Sequence, residues 1–386
     1  MAENTLTAII PDIYEALDVV SRELTGVIPA VTMSSSAERA AKDENITVDV
    51  SPVISGVDIT PAMTAPEPAG LTSTPVQMTI SKERAFPFGF NGNDNKALNN
   101  GVGYMNHRAG KIAQAIRACV NEVESDLGDL HTTFSRAYGT PATTPFGTAN
   151  DYTDASNVLK ILKDNGGAVD PQLVIDTTAG ANFLGKQSAV NAAGTDSMLR
   201  QGVLLDLAGM PVRESNEINT FTAGTMASAT TDNAGYAVGA TTLTLATAGT
   251  GVVAAGDIIT LAGDTNKYVV TSVSFAGANP ASGDTITIAE PGLRVAIAAS
   301  ATAITVVGSS ARNMAFARSA LVLATRAPAM PEEGDQAEDA MIITDPRSGL
   351  SLEFAMYKGY KKVRYEVGLA WGVKNIKPEH TALLLG

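Results

Sequence analysis

The sequence predicts an α+β fold, on three observations. Apolar residues recur at a spacing of three to four from Met105 to Ala137, which marks a helix of unusual length. Strict apolar–polar alternation near residues 46–50, 76–80 and 363–373 marks extended strands. Short alternating runs separated by glycine turns fill 241–307, which marks a small all-β unit.

Composition sets the outer bounds. The chain has 386 residues, 27 Lys and Arg against 40 Asp and Glu, and a net charge of −13. Charged residues are 17% and hydrophobic ones 45%, the reverse of a disordered chain. This length divides into two or three compact units. An acidic chain without a basic tail is a poor direct binder of nucleic acid, which requires clustered cations. Cys119 is the sole cysteine, so neither an intrachain disulfide nor a cysteine zinc site can form, and a reducing cytoplasm is compatible. The start of the sequence shows no basic and apolar leader pattern, and no apolar run approaches the ~18 residues of a membrane span.

In chain order, residues 1–43 read as an N-terminal arm, with Ile9, Ile10, Ile13, Leu17, Val20 and Leu24 at helical spacing. Such a stripe lies either on its own domain or on a neighbouring subunit. Residues 44–90 read as an extended hairpin. Ile46, Val48 and Val50 alternate on one strand and Val76, Met78 and Ile80 on the other, around a proline-rich tip. A two-stranded hairpin is marginal alone in water, so this one is expected to lean on something outside its own domain. Residues 91–140 hold the long helix, expected to run uninterrupted over 104–138 and to stop at Gly139. That is 35 residues, or ~50 Å at ~1.5 Å per residue. Cys119 falls on its apolar stripe and reads as a small buried hydrophobe rather than a nucleophile.

Residues 141–221 read as α/β: a helix around 159–162, a strand over 173–175, an Ala-rich helix over 178–200, then strands broken by a Gly209/Pro211 turn. Residues 222–310 carry only two basic and five acidic residues, and their strands are expected at 241–247, 257–261, 268–275, 285–289 and 303–307. The shift in composition marks an inserted barrel or sandwich. Residues 311–345 resume the α/β style, and 346–386 supply the terminal strands. Between those strands, the connection over 357–364 carries Lys358, Lys361, Lys362 and Arg364 with no acidic residue.

Catalytic patterns are sparse. His107, His131 and His380 are far apart, and the first two fall on the polar side of the long helix, where solvated surface is expected. The glycine pairs near Gly101 and Gly166 match neither dinucleotide nor P-loop spacing. Gly-x-Ser-x-Gly, HExxH and EF-hand patterns are absent. Asp335, Glu338 and Asp339 could hold a divalent ion, but an acidic solvated loop accounts for them. No enzymatic activity and no cofactor are expected.

The order of elements resembles one family: the major capsid proteins of tailed bacteriophages, with the Hong Kong 97-type fold. The order is arm, long hairpin, spine helix, α/β A domain, β-rich insert, A-domain return and terminal P-domain strands. The insert is similar to that of the P-twenty-two-like subgroup, although about 90 residues is shorter than the family's, so its cross-two-fold loops are expected to be reduced. Gly202-Val-Leu-Leu-Asp-Leu-Ala-Gly-Met-Pro-Val-Arg-Glu-Ser-Asn216 resembles the strand leaving the A domain. Ala311-Arg-Asn-Met-Ala-Phe-Ala-Arg-Ser-Ala-Leu321 resembles the re-entry segment, and Glu366-Val-Gly-Leu-Ala-Trp-Gly-Val373 the terminal strand. The resemblance implies a homo-oligomer of pentamers and hexamers, an icosahedral shell around double-stranded DNA. It further implies a scaffolding protein, a portal at one vertex and assembly in the host cytoplasm without a membrane. An encapsulin-like cellular shell is the alternative on the same fold. A β-rich surface or adhesin protein and an enzyme with a β-barrel insert are alternatives from other classes.

Charge suggests one contact between subunits. Residues 1–90 hold 12 acidic and five basic residues, and the hairpin tip carries Asp58 and Glu67 as its charges. One of these is expected to meet the basic turn of Lys358, Lys361, Lys362 and Arg364 on an adjacent copy.

Overall fold

In the computed structural model the described residues are 25–48, 61, 75–99, 104–148, 151–167, 169–186, 206–247, 249–275, 277, 280–332, 334–344 and 348–386. The expected arm helix over 9–24, the hairpin tip with Asp58 and Glu67, and 187–200 of the Ala-rich helix lie outside them.

The chain enters through a 3-10 turn at Ile28–Ala30 and β1 (Thr32–Ala40). The alternating segments form β2 (Asn45–Val48) and β3 (Val76–Thr79), an antiparallel pair, followed by β4 (Lys82–Asn91). As expected of a two-stranded pair, the base of this hairpin leans on residues outside 44–90, here of the same chain. Met78 and Ile80 are fully buried in a cluster with Ala40, Val322, Ala324 and Ala370.

After α1 (Gly92–Asn99), the long helix is α2 (Tyr104–Gly128), 25 residues and not the expected 35. Past Gly128 the side chains compete for the backbone. His131 Nδ1 donates to the Gly128 carbonyl at 3.1 Å, and Thr132 and Thr133 hydroxyls donate to Asp129 and Leu130 carbonyls at 3.2 and 2.8 Å. These bonds wind Asp129–Thr133 into a 3-10 turn. The chain then extends as β5 (Arg136–Tyr138), so Phe134 and Ala137 are buried as expected but not on a helix.

The next region matches the α/β reading: α3 (Thr153–Asp164), β6 (Pro171–Ile175), α4 (Thr177–Lys186), β7 (Val212–Glu214) and the short β8 (Thr220–Phe221). Six strands follow: β9 (Ala229–Thr231), β10 (Thr242–Thr247), β11 (Ile258–Leu261), β12 (Lys267–Ser274), β13 (Thr285–Ile288) and β14 (Ala303–Val306). They pair in the order β11-β14-β9-β10-β13-β12, and β12 returns to β11, so the ring closes. Closure leaves no free edge within the ring. Leu243 and Leu245 point inward, to join Ile259, Tyr268, Ile286 and Ile304 in a separate core. The alternating threonines point outward and clothe the ring without charge.

Then come β15 (Ser310–Ala317), β16 (Leu321–Pro328), β17 (Ala337–Thr344), β18 (Ser351–Gly359), β19 (Lys362–Asn375) and β20 (Thr381–Leu385). Among the described residues, 311–345 holds three strands, one 3-10 turn and a loop before β17, with no α-helix, rather than α/β. It also divides between sheets. β15 joins β20 and β6 in the larger sheet, whereas β16 and β17 join β19 and β18 in the smaller one.

β19 organises the smaller sheet. Its residues 362–371 pair with β4 along one edge, while β18 and then β16 share the other. Trp371 is fully buried in the core shared with Cys119, Val123 and Leu127 of α2. An aromatic of this size removes about 200 Å² from water, on the order of 5 kcal/mol. Cys119 is sealed there, and burial, with the Glu122 charge, pushes its thiol up to about 12. It behaves as the expected small hydrophobe.

Candidate subunit-contact surfaces

The four cations of the predicted contact sit at one end of the smaller sheet. Gly359 pairs with Lys362, which leaves Tyr360 and Lys361 as a two-residue turn between β18 and β19. Tyr360 is 86% exposed. Lys361 has a φ of 54°, the left-handed region that favours glycine, and its Nζ lies 5.5 Å from the Tyr360 ring centre. Four cations in so short a segment repel one another, and the fold relieves part of this. Lys358 pairs with Glu338 of β17 at 2.7 Å, and Arg364 with Glu366 at 2.7 Å. Glu338 reaches Lys358 only through the β17–β18 register, which leaves no local signal in the sequence. Lys361 and Lys362 have no carboxylate partner among the described residues. Together with Phe90, Asn91 and Asn93 they border an open groove beside the start of α1. Asp58 and Glu67 lie outside the described residues, so their placement relative to this turn stays a proposal.

The acidic trio reads differently once folded. Glu338 and Asp339 lie on β17, not on a loop. Asp335 accepts bonds from the Ala337 amide and the Tyr357 hydroxyl, each at 2.8 Å, which hold its carboxyl below the usual range. Among the described residues, no group of three His, Cys, Asp or Glu side chains is placed to hold a metal, and no helix is long and apolar enough to cross a membrane.

Two polar clusters fix the roots of the arm and hairpin to α2. Glu124 is fully buried. Its Oε1 accepts from the amides of Gly26 and Val27 at 2.6 and 2.7 Å and from the Ser215 hydroxyl at 2.7 Å, and its Oε2 from the Ile28 amide at 2.9 Å. The carboxylate thus supplies acceptors to the otherwise orphaned amides at the start of the 3-10 turn. Gly26 is required here, since a Cβ would lie 2.5 Å from the Glu214 carbonyl oxygen. Two residues to either side, and so on the opposite face of the helix, Glu122 and Asp126 face β4. Lys82 pairs with Asp126 at 2.7 Å and Glu122 at 3.3 Å, Arg84 pairs with Glu122 at 3.0 Å, and the Trp371 indole donates to Asp126 at 2.8 Å.

The histidines depart from the solvated reading. His107 packs edge-on to Phe90 at 5.8 Å, and His131 to Phe221 at 5.2 Å. Burial lowers the His131 pKa, opposed by its Gly128 bond and helped by the nearby Arg312 charge.

No protein-family model matches the chain, and no curated protein matches its sequence. Among solved structures, it is similar to the capsid of cyanophage P-SCSP1u, at 11% identity and a TM-score of 0.47, covering 100% of this chain and 95% of that one. It is similar to the capsid of Myoviridae phage XM1, at 7% identity and a TM-score of 0.48, covering 100% of both. A chain of Mycobacterium phage Che8 is similar at 14% identity and a TM-score of 0.45, covering 99% and 98%. None of these superpositions is close, so function is read from the chain's own residues.

Proposed function

We propose that this chain is the major capsid protein of a tailed bacteriophage, of the Hong Kong 97-type fold and the P-twenty-two-like subgroup. Copies form pentamers and hexamers of an icosahedral shell around double-stranded DNA, assembled in the host cytoplasm with a scaffolding protein and a portal. One observation carries this reading. The N-terminal hairpin is rooted on a 25-residue helix and a C-terminal 14-residue strand, with a six-stranded ring nested in the chain between them. That nesting is the layout the sequence resemblance implies, with the 222–310 segment as the inserted domain. The net charge of −13 supports it physically, because a shell should not cling to the DNA it encloses.

The contact between copies follows the charges. Lys358 and Arg364 hold carboxylates of their own chain, so Lys361 and Lys362 are the cations offered to Asp58 or Glu67 of an adjacent copy. Each exposed pair contributes ~0–1 kcal/mol, a small term that the many copies of a shell multiply. Sedimentation velocity of the purified chain, alone and with candidate scaffold, tests the assignment. Large closed assemblies are expected, and a persistent monomer with hydrolytic activity would overturn it. For the contact, Glu67→Lys with Asp58→Lys should lower shell stability, and adding Lys361→Glu with Lys362→Glu should restore it. Unchanged shells in the first variant would remove the contact and leave the assignment standing.

A further inference from the structure

Arg312 lies on β15, faces the core beneath α2, and is 2% exposed. Its Nε, Nη1 and Nη2 have no hydrogen-bond partner. The Phe221 ring lies 5.0 Å from the guanidinium carbon and covers one face, leaving the in-plane N–H donors to be matched. Ser310, two residues earlier and hence on the same face of the strand, is 2% exposed, and its hydroxyl is also unpartnered. The ring of six strands closes over this spot. At Gly256 a Cβ would come within 3.0 Å of the Phe221 ring and 2.9 Å of Thr132. Asp257, next in the chain, is fully buried, but its oxygens serve the amides of Gly224 and Ala254, each at 2.7 Å, and Arg312 bonds to neither.

Burial, opposed by the nearby Asp257 charge, brings the Arg312 pKa down to about 10, far too little to discharge it at neutral pH. A sealed cation without a bonded partner is among the costliest arrangements in a folded chain. We infer that Arg312 and Ser310 hold one small inorganic anion of halide size, enclosed where the six-stranded ring meets the larger sheet. Both side chains are 2% exposed, which favours a small ion over a large one, and the donors present are guanidinium N–H groups and one hydroxyl. His131 bounds the site. Its Nδ1 donates to a carbonyl, so the neutral ring turns a lone pair at Nε2, not a proton, toward its surroundings.

The test is thermal unfolding of the full chain in sodium chloride or bromide against sodium gluconate, at fixed ionic strength, for wild type and Arg312→Met. A melting temperature that climbs with the logarithm of halide concentration in wild type, and not in R312M, is expected. Chloride-35 NMR on wild type reads binding directly, even if R312M fails to fold. The resonance should broaden with protein and narrow again on adding bromide. Equal melting curves in the two salts together with no chloride broadening would overturn the inference, and would mean that water alone meets these donors.

Discussion

Replacing Glu124 by alanine removes the acceptor of four hydrogen bonds at once. Three belong to the amides of Gly26, Val27 and Ile28 and the fourth to the Ser215 hydroxyl, 91 to 98 residues away in sequence. Each buried group left unpaired costs ~1–3 kcal/mol, and relaxation and entering water return part of the sum. A loss of about 4 kcal/mol is expected, a large share of the ~5–15 kcal/mol that holds a domain folded. Glu124→Gln keeps the shape and one carbonyl oxygen but turns an NH₂ group toward amides, so it should lose about 2 kcal/mol. Urea unfolding of the unassembled subunit measures both. Limited thermolysin digestion reports the same event locally, since this protease cuts before bulky apolar residues and Val27 and Ile28 are fully buried in the folded chain. If E124A unfolds within about 1 kcal/mol of wild type and its N-terminal segment is cut no faster, the clamp does not anchor the arm.

Three further substitutions probe separate parts of the account. At Gly372 a Cβ would collide with the Thr79 carbonyl oxygen, so Gly372→Ala should push the hairpin base off β19 and cost about 2 kcal/mol, read by urea unfolding. Lys361→Gly should stabilise the subunit by about 1 kcal/mol through relief of the left-handed backbone, while weakening shell contacts. His131, held below its ordinary 6.5 chiefly by burial, takes up a proton more readily in the unfolded chain. Its contribution to stability is therefore complete above pH 6.5 and declines as pH falls from there toward its folded pKa. Urea midpoints at neutral and mildly acid pH should converge in His131→Phe relative to wild type, and an unchanged acid slope would contradict the assignment.

What could be read from the sequence was whatever leaves a local period. The ring strands were visible because threonine and aliphatic residues alternate, as at Thr242–Thr247, with glycine at the turns. The terminal strand was visible for the same reason from Val363 to Val373. The end of α2 was hidden, because Phe134 and Ala137 happen to continue the helical spacing although they lead into a strand. Glu124 was hidden too: a glutamate on a helix reads as solvated, and its partners are backbone amides that only the tertiary fold delivers. The basic turn was legible as charge, but its partial neutralisation by Glu338 depends on a strand pairing that no local pattern announces. Arg312 was read only as part of a resemblance, since nothing around it in sequence signals a buried cation.

Electron microscopy of the purified chain, assembled alone or with candidate scaffold, decides whether it builds a shell. The expected result is closed icosahedral shells in which this chain forms five-fold and six-fold clusters. Single subunits or small oligomers under every assembly condition, from a chain that is folded by circular dichroism, would contradict it.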